Sequence, residues 1–475
     1  DAASTGAGGT WNAQLQNTLT SVIGDANYDI GHLFGASGGG GNAGCIGCVC
    51  VNGSKGSGFT SPADGIPQGD NFDIDYVVHE VGHQLGANHT FSYSNEGTGV
   101  NKEIGSGITI MGYAGITSQD VANHSIAIYH ETSIAQIQTN LASKTCPVTT
   151  SISANNATPV VAAVSNYTIP YSTPFALTGS ATDANGDPLT YCWEENDNAS
   201  SSQTGASSIA SATKTSGPNW ISFMPTTSPV RYFPKLATIL SGALISGPLT
   251  GGDAGINTEA LSSVARTLNF RLTVRDNCPY SSTAPVKVGQ TQYTDMVVTV
   301  SSASGPFAVS APNTAVSYVG GSTQTITWNV ANTTATPVSC ANVKISLSTD
   351  GGQTFPTVLA ASTPNDGTEA LVIPNTPTTT ARIKVEAVGN IFFDISNANF
   401  TITAGSSCGD PTNLTTTAIG NNVATLGWTA VSGAVSYAVD YKPSTATNWT
   451  SATASTATTS VTISGLTAST LYDYR

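Results

Sequence analysis

His79-Glu-Val-Gly-His-Gln-Leu-Gly-Ala-Asn-His89 (HEVGHQLGANH) is the stretch that decides how the first third of this 475-residue chain is read. The residues before it have helical signals. Asp70 is a candidate N-cap and Asp73 falls in the first turn. Phe72, Ile74, Val77, Val78, Val81 and Leu85 recur at helical spacing, which predicts a buried apolar stripe. His79 and His83 are four residues apart, so their imidazoles leave one face of that helix about a turn apart and offer two nitrogens to a single ion. Gly86 supplies a backbone conformation that other residues avoid, ends the helix and lets the chain turn back to present His89. Three protein nitrogens with a fourth position open to water is the catalytic rather than the structural zinc arrangement. Zinc lowers the pKa of such a water to about 7, and Glu80, next to the first ligand, is placed to take its proton. The Asn88-His89-Thr90 sequon lies on the ligand turn, a poor place for a glycan.

Downstream comes Ser106-Gly-Ile-Thr-Ile-Met-Gly-Tyr-Ala-Gly115, with Met111 and Tyr113. HExxHxxGxxH followed by a Met-containing turn resembles the metzincin signature. HEVGHQLGANHTF, with YDIGHLF upstream and IMGYAGI downstream, is most similar to the bacterial reprolysin-like secreted metallopeptidases. The resemblance implies an α+β (α/β/α-type) catalytic domain in which Met111 forms a hydrophobic floor beneath the zinc. It also implies that Tyr113 leans on the metal or hydrogen-bonds the oxyanion of the transition state. Family domains begin well before the first helix here, so the resemblance further implies a domain truncated at its N-terminus, without a pro-segment.

Composition agrees with an exported protein. Only 9% of residues are charged and the net charge is −14, which argues against nucleic acid and anionic membrane surfaces as partners. No apolar run approaches a membrane span. The chain carries no signal peptide but does not begin with Met, so it reads as processed or cut.

Trp11 to Ile23 reads as an amphipathic helix, Tyr28 to Phe34 as a strand and Ala43 to Val51 as a second strand. By resemblance the second is the edge strand that pairs with extended substrate. His32, His124 and His130 carry no ligand spacing and read as structural, and Glu131 to Ser143 reads as the closing helix. Eight cysteines in an exported chain favour disulfides. The resemblance suggests Cys50 with Cys146; Cys192 with Cys278 is a weaker pairing, inferred from their shared domain. Cys45-x-x-Cys48-x-Cys50 also leaves a redox or metal reading open.

From about residue 151, Thr, Ser, Pro and Gly punctuate short alternating segments, the pattern of β-sandwiches. The expected divisions are 1–150 for the peptidase-like domain, 151–304 and 305–405 for cadherin- or immunoglobulin-like sandwiches, and 406–475 for a last sandwich. Asp183, Asn185 and Asp187 lie in a loop able to bind calcium or to form a plain hairpin turn. Ser348 to Phe355 resembles the Asp-box of sialidases, a turn motif. Trp428, Tyr437 and Leu466-Thr-Ala-Ser-Thr-Leu-Tyr472 resemble fibronectin type III with its tyrosine corner, the chain stopping inside the next strand.

The combined reading is a multidomain, secreted or cell-surface zinc endopeptidase. It has one catalytic Zn²⁺ on His79, His83 and His89, Glu80 as base and Tyr113 as oxyanion donor, and calcium as a candidate second ion. Its expected partners are protein or peptide substrates, with no nucleic acid and no membrane span. Surfaces or glycans are candidates for contact through the β domains. The alternative is a non-catalytic adhesin that retains the metzincin fold. A glycan hydrolase would rest on the Asp-box alone and lacks a paired-carboxylate case.

Overall fold

The computed structural model describes residues 10–405 and 409–475; Cys408, near the expected start of the last domain, lies outside them. The chain is multidomain, with helices confined mainly to the N-terminal region and β-sheets after it. It divides into two compact units. One comprises residues 1–317, 323–371 and 378–401, and the other 318–322, 372–377 and 402–475.

In the first unit, α1 (Trp11–Thr18) continues as a wide helical turn over Leu19–Ile23. Trp11 packs edge-on against Phe59 with ring centroids 5.4 Å apart. Phe59 belongs to β3 (Gly58–Ser61), whose four residues are all buried. β3 is central in a three-stranded sheet, parallel to β1 (His32–Phe34) and antiparallel to β2 (Gly40–Asn42), which leaves β2 as an edge.

The sequence places strands at Tyr28–Phe34 and Ala43–Val51; the first is shortened to β1 and the second is replaced by β2. Residues 43–51 form a loop because Gly44, Gly47 and Cys50 take positive φ (73°, 72° and 67°), which no strand accommodates. A Cys45–Cys48 disulfide closes that loop, and Cys50–Cys146 ties it to the chain after α3 (Glu131–Ala142). Cys192 and Cys278 are separate buried thiols rather than a pair. The Cys192 thiol lies on the carbonyl of Phe223 at 3.4 Å, and that of Cys278 on the carbonyl of Pro279 at 3.8 Å.

The site helix begins with a widened stretch, Asn71–Val77, before α2 (Val78–Leu85). Asp70 is not the N-cap. Its φ −56° and ψ −37° are already helical and its side chain makes no capping bond, whereas a cap needs a non-helical backbone for its oxygen to reach the first free N–H groups. The expected apolar stripe is also only partly realised. Phe72 is buried, but Ile74, Val77, Val78, Val81 and Leu85 are half-buried. The deepest side chains of α2 are polar: His79, Glu80, His83 and Gln84. Gln84 explains the inversion, since it donates to the Gly31 carbonyl at 3.0 Å and lies 2.8 Å from His32 Nδ1, fastening α2 to β1 through its polar face.

The β region that follows is not a separate bead. Its main sheet runs in the order 167–170, 291–301, 266–276, 189–195, with the first pair parallel and the others antiparallel. Ile104, Ile108, Val121 and Ala122 share one buried cluster with Ala210, Ile221, Ile256 and Ala260. Polar contacts seal the same seam. Ala199 N–H donates to Asn101 O at 2.8 Å, Gly205 N–H to Tyr93 O at 2.8 Å, and Arg271 meets Glu131 at 2.8 Å.

Asp183 spends one carboxylate oxygen on its own loop, accepting from Asn185 N at 2.8 Å and Asp187 N at 3.0 Å, while Asn185 Oδ1 caps Ala157 N at 2.8 Å. The three residues therefore close a turn on one carboxylate oxygen, while the other, Asp183 Oδ2, is buried without a hydrogen-bond partner, and calcium remains an expectation of the sequence alone. Asp350 of the Asp-box likewise closes its own turn through Ser348 and Thr354. Those hydrogen bonds hold its carboxyl well below the usual range.

In the second unit two three-stranded sheets face each other, 412–417/423–429/460–464 and 450–456/437–443/472–474. Leu426, Val439 and Ile463 form the buried centre, with Trp428, Tyr441 and Leu466 around it. Thr467 N–H donates to the Tyr472 hydroxyl at 3.0 Å, the tyrosine-corner bond.

Candidate metal centre and cleft

His79 and His83 project from successive turns of α2 into the interior. Gly86, at φ +120°, then reverses the chain; a Cβ there would also lie 2.7 Å from Asn140. The turn brings His89 Nε2 to 2.9 Å from His83 Nε2 and 3.2 Å from His79 Nε2. Each ring is fixed from behind. Nδ1 of His79 donates to Ile110 O at 2.6 Å, Nδ1 of His83 to Ala87 O at 2.7 Å, and Nδ1 of His89 faces Glu96 Oε2 at 2.9 Å. With the protons on Nδ1, three lone pairs converge on one point.

Burial pushes all three imidazoles towards the neutral form, His89 to about 3. Protonation is therefore no remedy for the crowding, but a cation is. Tetrahedral zinc at about 2.0–2.1 Å from each nitrogen would separate the nitrogens by about 3.3 Å, close to what these rings display. The donor set fits zinc, and among the described residues it is the one histidine trio so gathered.

Glu80 lies beside the trio, lining the same cleft as His79 and Tyr113, with Ala43 N–H donating to its carboxylate. Burial raises its pKa to about 7. Gly41 of β2 passes so near that a Cβ would sit 2.4 Å from Glu80 Oε1, so only glycine admits the glutamate there. The Tyr113 ring lies 4.4 Å from that of His89 and 5.5 Å from that of His79. Burial, then the nearby Glu80 and Glu96 carboxylates, push its phenol upward and keep it a proton donor. Met111 is fully buried beneath, clustered with Ala87 and Ile110.

Three contributors were missed in the sequence. Gly82, inside the motif, has no room for a Cβ, which would fall 2.7 Å from Met111 Sδ. Glu96 orients His89 and has no fixed spacing to the motif that could have flagged it. Glu103 is buried and knits the Met-turn, accepting from Ile108 N at 2.9 Å and from Thr109 N at 3.0 Å, and from the Thr109 and Thr90 hydroxyls. A glutamate followed closely by a Ser/Thr-rich glycine turn was the available signal. His32 bridges Gln84 and Thr60, His124 pairs with Asp75 at 2.7 Å, and His130 accepts from Thr132 N at the start of α3. None of the three approaches the trio.

Comparison with known proteins places these features. Residues 1–142 match the family model described as metallo-peptidase family M12B reprolysin-like, and residues 409–475 match that of the fibronectin type III domain. The chain thus carries a reprolysin-like metallopeptidase region and a C-terminal fibronectin type III domain. Among solved structures it is similar to the chicken CNTN1 FN1-FN3 domains, at 13% identity over 66% of this chain and 92% of that one with a TM-score of 0.21. It is also similar to a two-domain fibronectin type III segment of chicken tenascin, at 19% identity over 36% and 87% with a TM-score of 0.16. No curated protein matches it.

Proposed function

We propose that this chain is a secreted zinc endopeptidase in which His79, His83 and His89 hold the ion. The observation that carries the reading is the convergence of three neutral imidazole nitrogens beside a buried carboxylate in an open cleft. Zinc bound there supplies a Lewis acid for the scissile carbonyl and for water. The remaining work falls to the chain's own residues. Glu80, with a pKa of about 7, takes a proton from water near neutral pH and returns it to the leaving amine. Tyr113, held protonated, donates its hydroxyl to the developing oxyanion. Met111 and Gly82 set the depth of the floor under the ligands. The free edge of β2 offers backbone groups to an extended peptide.

Residues 151–304 buttress the Met-turn through the shared core. The domains at 305–405 and 406–475 space, anchor or bind surfaces and glycans. Two disulfides are consistent with an extracellular setting, and no helix among the described residues is long and apolar enough to cross a membrane.

The test is hydrolysis of an unfolded protein by the chain and by its Glu80→Ala variant, with zinc measured on both. The expected result is zinc in both and cleavage by the wild type alone, the variant losing at least ~10²-fold in rate. Equal cleavage by the variant would overturn the proposal. Zinc in both with cleavage by neither would favour the adhesin reading.

A further inference from the structure

The cleft does not end at the metal centre. It extends to about 480 Å³ along the widened start of the site helix, past Asn71, Asp75 and Tyr76, to the loop after the Met-turn with Ile116, Asn123 and His124. Its charge is one-sided. Among the described residues lining it, Asp75 is the only carboxylate besides Glu80, and there is neither lysine nor arginine.

Asp75 is set in position before any ligand arrives. Ser125 N–H donates to its Oδ1 at 2.8 Å and His124 Nδ1 lies 2.7 Å from its Oδ2. Its side chain is only 13% exposed, while that of His124 is 65% exposed and lies on the solvent side of the pair. Each carboxylate oxygen retains a lone-pair site beyond these bonds. As a fold-stabilising pair, a partner as exposed as His124 contributes little. As part of the cleft's lining, an oriented carboxylate rewards a cation and penalises both an apolar side chain, which leaves it unpaired, and an anion, which it repels. Tyr76 and the exposed Ile116 supply apolar surface for the stem of a long side chain.

We infer that this pocket selects a lysine or arginine side chain next to the scissile bond, with Asp75 as the specificity-determining residue. The inference rests on the peptidase reading for its biological meaning, but the pocket can be probed without turnover. The probes are short peptide hydroxamates, which chelate zinc, bearing Lys, Leu or Glu as the side chain flanking the chelating group. They are titrated into the zinc-loaded full chain and into its Asp75→Asn and Asp75→Lys variants, with zinc content confirming that each variant keeps the site.

The wild type is expected to bind the Lys compound at least about tenfold tighter than the Leu compound, with the Glu compound weakest. Asp75→Asn closes that gap and Asp75→Lys brings the Glu compound ahead of the Lys compound. A wild type that binds Leu as tightly as Lys, that binds none of the three, or a ranking unchanged in Asp75→Asn overturns the inference. If the ranking holds while the wild type leaves unfolded protein uncut, the peptidase reading fails and the pocket assignment stands.

Discussion

The peptidase-like region and the fibronectin type III domain solve the problem of burial in opposite ways. The second follows the simple rule, with Leu426, Val439 and Ile463 in its centre and polar strands outside. The first buries two histidines, a glutamate and a glutamine on its key helix and borrows apolar support from the next β domain, through Ile104, Ile108 and Val121 against Ala210, Ile221 and Ile256. That helix keeps only a thin apolar side, Ile74 and Val78 against Ala87, Ile110 and Met111, and the loop region it packs on is steadied by the next β domain.

The sharpest way to break this contrast is to attack the borrowed core. Ile221→Ala, though far from the motif in sequence, should cost about 2–5 kcal/mol and lower zinc retention, while the fibronectin transition in calorimetry stays where it was. A variant that melts the β region and leaves zinc binding intact would show the two to be independent.

Next in size is the support behind a ligand. Glu96→Gln removes the charged partner of His89 Nδ1 and should weaken zinc binding about 10–100-fold in a competitive chelator titration, with little change in melting.

Acid should also separate the two regions. His130 is buried and its pKa is lowered to about 3, chiefly by burial and then by Lys102. Its folded pKa lies below its unfolded value of about 6.5, so its contribution is complete above pH 6.5 and is lost as pH falls towards 3. The neighbouring Glu194, raised to about 8 by burial, works in the opposite sense, its contribution being complete below about pH 4.5 and lost as pH rises towards 8. His130→Gln should therefore flatten the acid limb of the first unit's stability between pH 6.5 and 4, a slope of up to about 1.4 kcal/mol per pH unit. All six histidines precede residue 131, so the fibronectin domain has no such limb.

The smallest effect tests the simple domain. Tyr472→Phe deletes the bond from Thr467 N–H and should cost about 1 kcal/mol in the fibronectin transition, with zinc content unchanged.

What could be read from the sequence follows the same divide. Spacing located the three histidines and Gly86, because a helix converts a separation of four residues into a shared face and glycine marks the reversal, whereas the Met-turn was legible only through the family resemblance. The fibronectin strands were legible because alternation reflects a two-layer core. Asp70 misled, since a good capping residue caps only where the backbone leaves the helix. Residues 43–51 misled because their Cys and Val content resembles a strand while the glycine conformations forbid one. Glu96, Glu103 and the shared core were hidden for a different reason. They depend on pairings across the chain that no local period encodes, and the cluster joining Ile104 to Ala260 is invisible to any window of sequence.

That cluster bears on timing as well as strength. A chain made from its N-terminus has all three metal ligands available at residue 89, yet the packing that steadies the Met-turn is complete only once residue 260 has emerged. The support of the candidate metal centre is therefore made well after its ligands, a lag set by the order of the chain.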